Sequence, residues 1–311
     1  MLIRMVKKRT FLILSSLLIL LIVYLFPTRS DDKIDIKTQN KDFSIVYLLN
    51  ENSLLSRVSV VTNNLDINTK VKEITDYLTI SSDKSNYLLD GFTPIIPKGT
   101  KLLYFTIDND LLILNFSKSL LNISSENEKR LISALVYSYT SISEIKAISI
   151  YVDGNLLEKL PHSNEKLPQI IDRSYGINQI YNIDDIVGTT KTTIYYLSKY
   201  NDYYYYVPVT LVNNDKSDKI KIILSELASK TVYETNLISY LRDVKQINYE
   251  IENDFITVNM SQKLFNDLYE SNLIEKVIYT LNLSISNNYD HAKVVYYVND
   301  SMYETYTFWL A

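Results

Sequence analysis

Apolar and polar positions along this chain alternate in short runs, and the same order of runs occurs twice. SIVYLL (44–49) and RVSVV (57–61) are β-rich and separated by polar residues, which predicts a hairpin. Ile67, Val71, Ile74 and Leu78 follow at steps of four, three and four, one face of an amphipathic helix. LLYFTI (102–107) and LLILNF (111–116) flank Asp108-Asn109-Asp110, a tight hairpin signal. Ser125 with Glu128 reads as a capping box opening a second helix through Leu131, Leu135 and Tyr139. AISIYV (147–152) is a final strand, and Asp153-Gly154 turns out of it.

The second pass repeats these signals. TTIYYL (192–197) and YYYYVPVTLV (203–212) stand for the opening strands, and Ile220, Ile223, Leu224 and Leu227 for the first helix. The hairpin segment IENDFITVNMSQKL (251–264) matches IDNDLLILNFSKSL (107–120) at six of fourteen positions. Ile274, Val277, Ile278 and Leu281 mark the second helix, and KVVYYV (293–298) the last strand. Each copy therefore predicts β-β-α-β-β-α-β, an α+β fold of mostly antiparallel sheet with helices on one face. The expected boundaries are 44–160 and 191–304, joined by a linker, 161–190, that holds Pro161, Pro168, Gly176 and Gly188. A tail, 305–311, contains the only tryptophan, Trp309.

Ahead of the repeats, the basic segment 1–9 carries Arg4, Lys7, Lys8 and Arg9, and an uncharged apolar run fills 10–26. At about 1.5 Å per residue such a helix reaches about 25 Å, enough for a thin hydrocarbon core. The basic cluster belongs on the cytoplasmic side, so the polar spacer 27–43 and all that follows are expected outside. The favoured reading is a single-pass anchor of the cytoplasmic membrane. A cleaved signal peptide has the same charge pattern, but no small-x-small site follows the run; a soluble core helix is the remaining reading.

Composition narrows the chemistry. With 32 Lys and Arg against 36 Asp and Glu the formal charge is −4, which gives no basic footprint for nucleic acid. No cysteine is present, so disulfides, thiolate metal sites and lipid attachment at cysteine are excluded. His162 and His291 are the only histidines, too few for a three-histidine metal site. No catalytic residue, cofactor or metal site is expected. Asp108, Asp110, Glu252 and Asp254 sit at hairpin turns, where such residues are favoured for backbone reasons. Asn115-Phe116-Ser117 and Asn259-Met260-Ser261 match glycosylation sequons, but their repeated place at a strand exit favours a structural role. The 27 tyrosines include Tyr195, Tyr196, Tyr200 and Tyr203 to Tyr206. Of these, Tyr195, Tyr200, Tyr204 and Tyr206 are the candidate interaction surface, since tyrosine gives large contact area at low entropy cost. Plain β-propensity accounts for the same cluster.

The loop Ile96-Pro97-Lys98-Gly99-Thr100, the exit Asn115-Phe116-Ser117 and VYSYTSISEIKAISIYVDG (136–154) together resemble the GerMN domain of the GerM family of sporulation and germination proteins. The tandem arrangement behind an apolar run resembles that family too. Pro97, Gly99, Thr100, Asn115, Ser117, Asp153 and Gly154, with Asn259 and Ser261 in the second copy, are the family-motif positions with structural roles. The second copy departs from the pattern: it has ISYLRDVKQ (238–246) in place of the Pro-x-Gly-Thr loop and Val298-Asn299-Asp300 as its closing turn. The resemblance implies a non-catalytic factor of endospore formation and germination, whose partners are proteins of an envelope or forespore channel complex. The alternative is a cell-envelope glycan-binding or sensor protein using tyrosine platforms, with peptidoglycan among the ligands considered. A hydrolase is the least supported reading.

Overall fold

The computed structural model describes residues 42–62, 66–229, 237–244, 247–252, 255–289 and 293–307, with only the backbone for 304–307. The basic segment 1–9, the apolar run 10–26, most of the spacer, Asp254, His291 and Trp309 lie outside the described residues. Among the described residues no helix is long and apolar enough to cross a membrane.

The first copy opens with β1 (Asp42–Leu49) and β2 (Leu55–Thr62), paired antiparallel from Asp42↔Thr62 to Leu49↔Leu55. Helix α1 (Ile67–Leu78) follows, capped by the Asp66 carboxylate, which accepts from the Thr69 amide at 3.0 Å. It buries Val71, Ile74 and Leu78, the face the periodicity predicts. Next come β3 (Leu102–Asp108), β4 (Leu111–Phe116), α2 (Glu128–Tyr139) and β5 (Ala147–Val152). Strands β4 and β5 run parallel, a pairing that needs the crossover supplied by α2.

The second copy is β9 (Thr190–Tyr200), β10 (Tyr203–Asn213), α3 (Lys219–Ala228), β11 (Ile247–Glu252), β12 (Phe255–Met260), α4 (Gln262–Glu270), α5 (Ile274–Ser286) and β13 (Lys293–Val298). Strands β12 and β13 again pair parallel across a helical crossover. The mixed α+β class and the repeated element order thus match the sequence reading. Helix α4 has no helical equivalent in the first copy, where Lys118–Asn122 form a single 3₁₀ turn. Strand β14 (Ser301–Thr307) pairs antiparallel with β13, so KVVYYV is not the last strand and 305–307 are not tail.

Two further expectations need correction. The copies do not each keep a sheet of their own. Strand β10 pairs along its length with β9 and meets β2 at Tyr206↔Arg57, so both opening hairpins join one central sheet. The segment 161–190 is not a free connection either. It carries β7 (Ile171–Asp172), antiparallel to β5, and β8 (Ile180–Asn182), parallel to β10, and buries Leu167, Ile171 and Ile177. The short β6 (Asn155–Leu156) completes the outer sheet β3-β4-β5, and β11-β12-β13-β14 form the other.

The central sheet is buried on both sides, which alternation alone does not predict. On β9, Tyr195 packs into the core of the first copy while Ile194 and Tyr196 pack into that of the second. Phe92 touches both cores. The strands between the copies are therefore shared structure.

Candidate functional site

The junction between the copies is built with the symmetry of the repeat. On β1 the Tyr47 amide donates to Ser138 Oγ of α2 at 2.9 Å, and on β9 the Tyr195 amide donates to Ser284 Oγ of α5 at 2.9 Å. The two tyrosine hydroxyls meet at 2.8 Å in the interior. Tyr195, read from the sequence as a surface residue, is thus 1% exposed. Its strand is covered by packed side chains on both faces, and its hydroxyl is bonded inside. Burial first, then the neighbouring Tyr47 hydroxyl, pushes its pKa far up, so it stays neutral.

Arg173, from the supposed linker, closes this junction. Its guanidinium donates to Thr140 Oγ1 at 2.8 Å, to Asn287 Oδ1 at 3.0 Å and to the Tyr137 carbonyl at 3.3 Å, and lies 4.9 Å from the Tyr137 ring centroid. Among the described residues no carboxylate forms an ion pair with it. No local pattern marks Arg173 in the sequence, because these partners lie at the C-terminal caps of two helices, 33 and 114 residues away.

The remaining candidate tyrosines separate. Tyr200 is half-buried with its ring against Gly91, where a Cβ would sit 3.0 Å from it. Gly91 has φ +90°, so this tight contact and the backbone both call for glycine. Tyr203 and Tyr204 are exposed, Tyr205 is buried, and Tyr206 is half-buried against Tyr279 at 4.9 Å between centroids. Lys199 Nζ lies 5.6 Å and Lys276 Nζ 5.2 Å from the Tyr204 centroid. Arg57 lies 5.7 Å from the Tyr279 centroid. The four residues therefore do not form one platform: Tyr195 is core, and Tyr204 is flanked by lysines. Arg57, Lys276 and Tyr279 were missed. The spacing of Lys276 and Tyr279, three apart on a helix, was the available signal.

The family-motif positions hold the exits of parallel strands. Asn115, buried, accepts at Oδ1 from the Gly154 amide at 2.9 Å, and the Asp153 amide donates to the Phe116 carbonyl at 2.9 Å. Asn259 occupies the same place and donates to Asp300 Oδ1 at 2.6 Å. Ser117 Oγ accepts from the Lys101 amide at 3.0 Å, and Ser261 Oγ accepts from the Leu264 amide at 3.3 Å, capping α4. In the loop, the Thr100 amide donates to the Pro97 carbonyl at 3.1 Å around Gly99 at φ +81°. The closing turn uses Asp153 at φ +47° and Gly154 at φ +79°.

Asp108, Asp110 and Glu252 are exposed at their turns, with Asn109 at φ +56°. His162 is exposed, its Nε2 2.7 Å from the Ile123 carbonyl. An open depression of about 510 Å³ lies between α3 and β11, lined by Lys221, Leu224, Leu241, Val244, Ile247 and Tyr249 among others. Among the described residues no carboxylate or histidine lines it, so no acid–base pair of theirs converges there. Among the described residues no group of three His, Asp or Glu could hold a metal ion.

The comparisons agree with this architecture. The family model described as "Germane: Sporulation and spore germination" matches residues 45–158. The spore germination protein GerM of Bacillus subtilis (strain 168) is 26% identical over 220 residues, covering 68% of this chain. The match spans 60% of that relative's length. The solved tandem GerMN domains of the sporulation protein GerM from Bacillus subtilis superpose with a TM-score of 0.74, over 84% of this chain and 92% of that one. At 22% identity this last likeness is one of fold.

Proposed function

The chain belongs to the GerM family, and we propose on that basis that it acts in sporulation and spore germination as a non-catalytic, membrane-anchored assembly factor. Its anchor is the apolar run 10–26 with the basic residues before it, which puts the two copies outside the cytoplasmic membrane, in the envelope around the forespore. Its partners are proteins of an envelope complex.

The observation that carries the binding role is the edge strand β3. Among the described residues it pairs with β4 on one side only, and Leu103 and Tyr104 on it are 49% and 54% exposed. An uncovered edge of this kind offers main-chain groups for pairing and apolar side chains for specificity. The bonded junction supports the same reading, because a rigid body presents such an edge without an ordering cost at each encounter.

The test is genetic. In a spore-forming host, deletion of the gene should reduce heat-resistant spores or their germination, and the wild-type chain should restore both. A chain with Leu103→Lys and Tyr104→Lys, confirmed to fold by its thermal melt, should not restore them. A deletant that sporulates and germinates normally would falsify the proposal.

A further inference from the structure

Three cations rest on tyrosine rings along one stripe that crosses from one copy to the other. Arg57 of β2 lies over Tyr279, whose ring packs on Tyr206 of β10. Lys276 of α5 and Lys199 of β9 lie over Tyr204. Tyr204 and Tyr206 are two apart on one strand and so point the same way. Lys276 and Tyr279 are three apart on α5 and share a helix face.

The stripe reverses the sign of the molecule, whose formal charge is −4. Among the described residues no carboxylate forms an ion pair with Arg57 or Lys276. Lys199 faces Asp202 at 3.7 Å, an exposed surface pair that contributes little. Tyr206 adds no negative charge at neutral pH. Burial, then Tyr279, pushes Tyr206 up to about 12, and Tyr240, beside Tyr204, also reaches about 12 through burial and that neighbour.

We propose that this stripe binds an extended acidic segment of a partner polypeptide, running along β10. Like-facing side chains of an extended chain repeat at about 6.6–6.8 Å, the interval between Tyr204 and Tyr206. Acidic side chains at alternate positions would then meet Lys276 and Arg57 in turn. The rings beneath supply rigid contact area, and tyrosine and arginine are the side chains enriched where binding energy concentrates. Sugar stacking is a poorer match, because lysines already lie over Tyr204. An anionic membrane surface is a poorer match too, since such surfaces select clusters of about 4–8 basic residues. This inference names the kind of partner for the binding role proposed above, at a surface separate from the β3 edge.

The experiment is titration of the full chain with poly-L-glutamate at low and high salt. Binding should be present at low salt and weaken as salt screens it. Lys276→Gln with Arg57→Gln should weaken it at least about tenfold, whereas Lys276→Arg and Lys263→Gln, on α4 and over none of these rings, should leave it unchanged. If Arg57→Gln lowers the melting temperature, Lys276→Gln with Lys199→Gln carries the test. Equal binding by all variants, no binding, or capture of phosphatidylglycerol vesicles or polygalacturonate in place of polyglutamate would each overturn the inference. A deletion that impairs sporulation, found together with no polyglutamate binding, removes this inference and leaves the assembly role standing.

Discussion

Glu128 shows how tertiary contacts reassign a residue. Its spacing from Ser125 reads as a capping box, a local arrangement. In the folded chain Asn127 holds the N-cap position without a side-chain bond, and the Glu128 carboxylate accepts from the His162 amide at 2.8 Å and the Ser163 amide at 3.0 Å. Glu128 is 3% exposed. Burial raises its pKa, but the hydrogen bonds from Ser163 and His162 outweigh that and hold the carboxyl below its ordinary value. A pKa depressed by folding contributes stability that is complete above the unfolded value of about 4.3 and is lost as pH falls through the folded value. Glu128→Gln should therefore lower stability at neutral pH by about 1–2 kcal/mol. The urea midpoints of wild type and variant should converge as pH drops below about 4, and parallel curves would refute the assignment. Neither the shielding nor the partners, 34 and 35 residues away, were visible in the local sequence.

Among the elements, long periodic ones were legible and short ones were not. Helices α1, α3 and α5 bury the faces their spacing predicts, because an apolar stripe at helical period has one way to leave water. Strands of two or three residues, such as β6, β7 and β8, have no period to read. Helix α4 did carry a signal, Leu264 and Leu268 four apart, that the match to the shorter first-copy turn obscured. The least legible element matters most for the junction. Ahead of β8, Asn178 at φ +45° stands where β2 and β10 part. Its amide donates to the Leu55 carbonyl at 2.8 Å and the Pro208 carbonyl at 2.7 Å, and its Oδ1 accepts from the Leu55 amide at 2.9 Å. One side chain thus continues the sheet between the copies. Asn178→Gly keeps the backbone freedom and should cost about 2–3 kcal/mol for the lost bonds. Asn178→Ala should cost about 1 kcal/mol more, because a Cβ without a local bonding group resists the left-handed region. Equal melting temperatures for wild type and the glycine variant would show that the seam does not depend on this residue.

At the scale of the molecule, a sheet shared by both copies and a hydroxyl pair joining their cores should make the described body cooperative. Calorimetry should give one transition with equal calorimetric and van't Hoff enthalpies, and two resolved transitions would show the copies to be energetically separate. The assembly role and the acidic-segment site both presuppose this single body, since the stripe draws Arg57 from one copy and Lys276 from the other. By itself the sequence determined the α+β class, the duplication, the order of the longer elements within each copy and the hairpin turns. All of these follow from local periodicity and turn chemistry. Only the tertiary structure decided that the copies share a sheet, that Tyr195 is core, that 161–190 is built into the body, and which cations meet which rings. Those outcomes depend on which apolar faces find each other across more than a hundred residues, and a pattern of period two or 3.6 says that a face must be buried without saying against what.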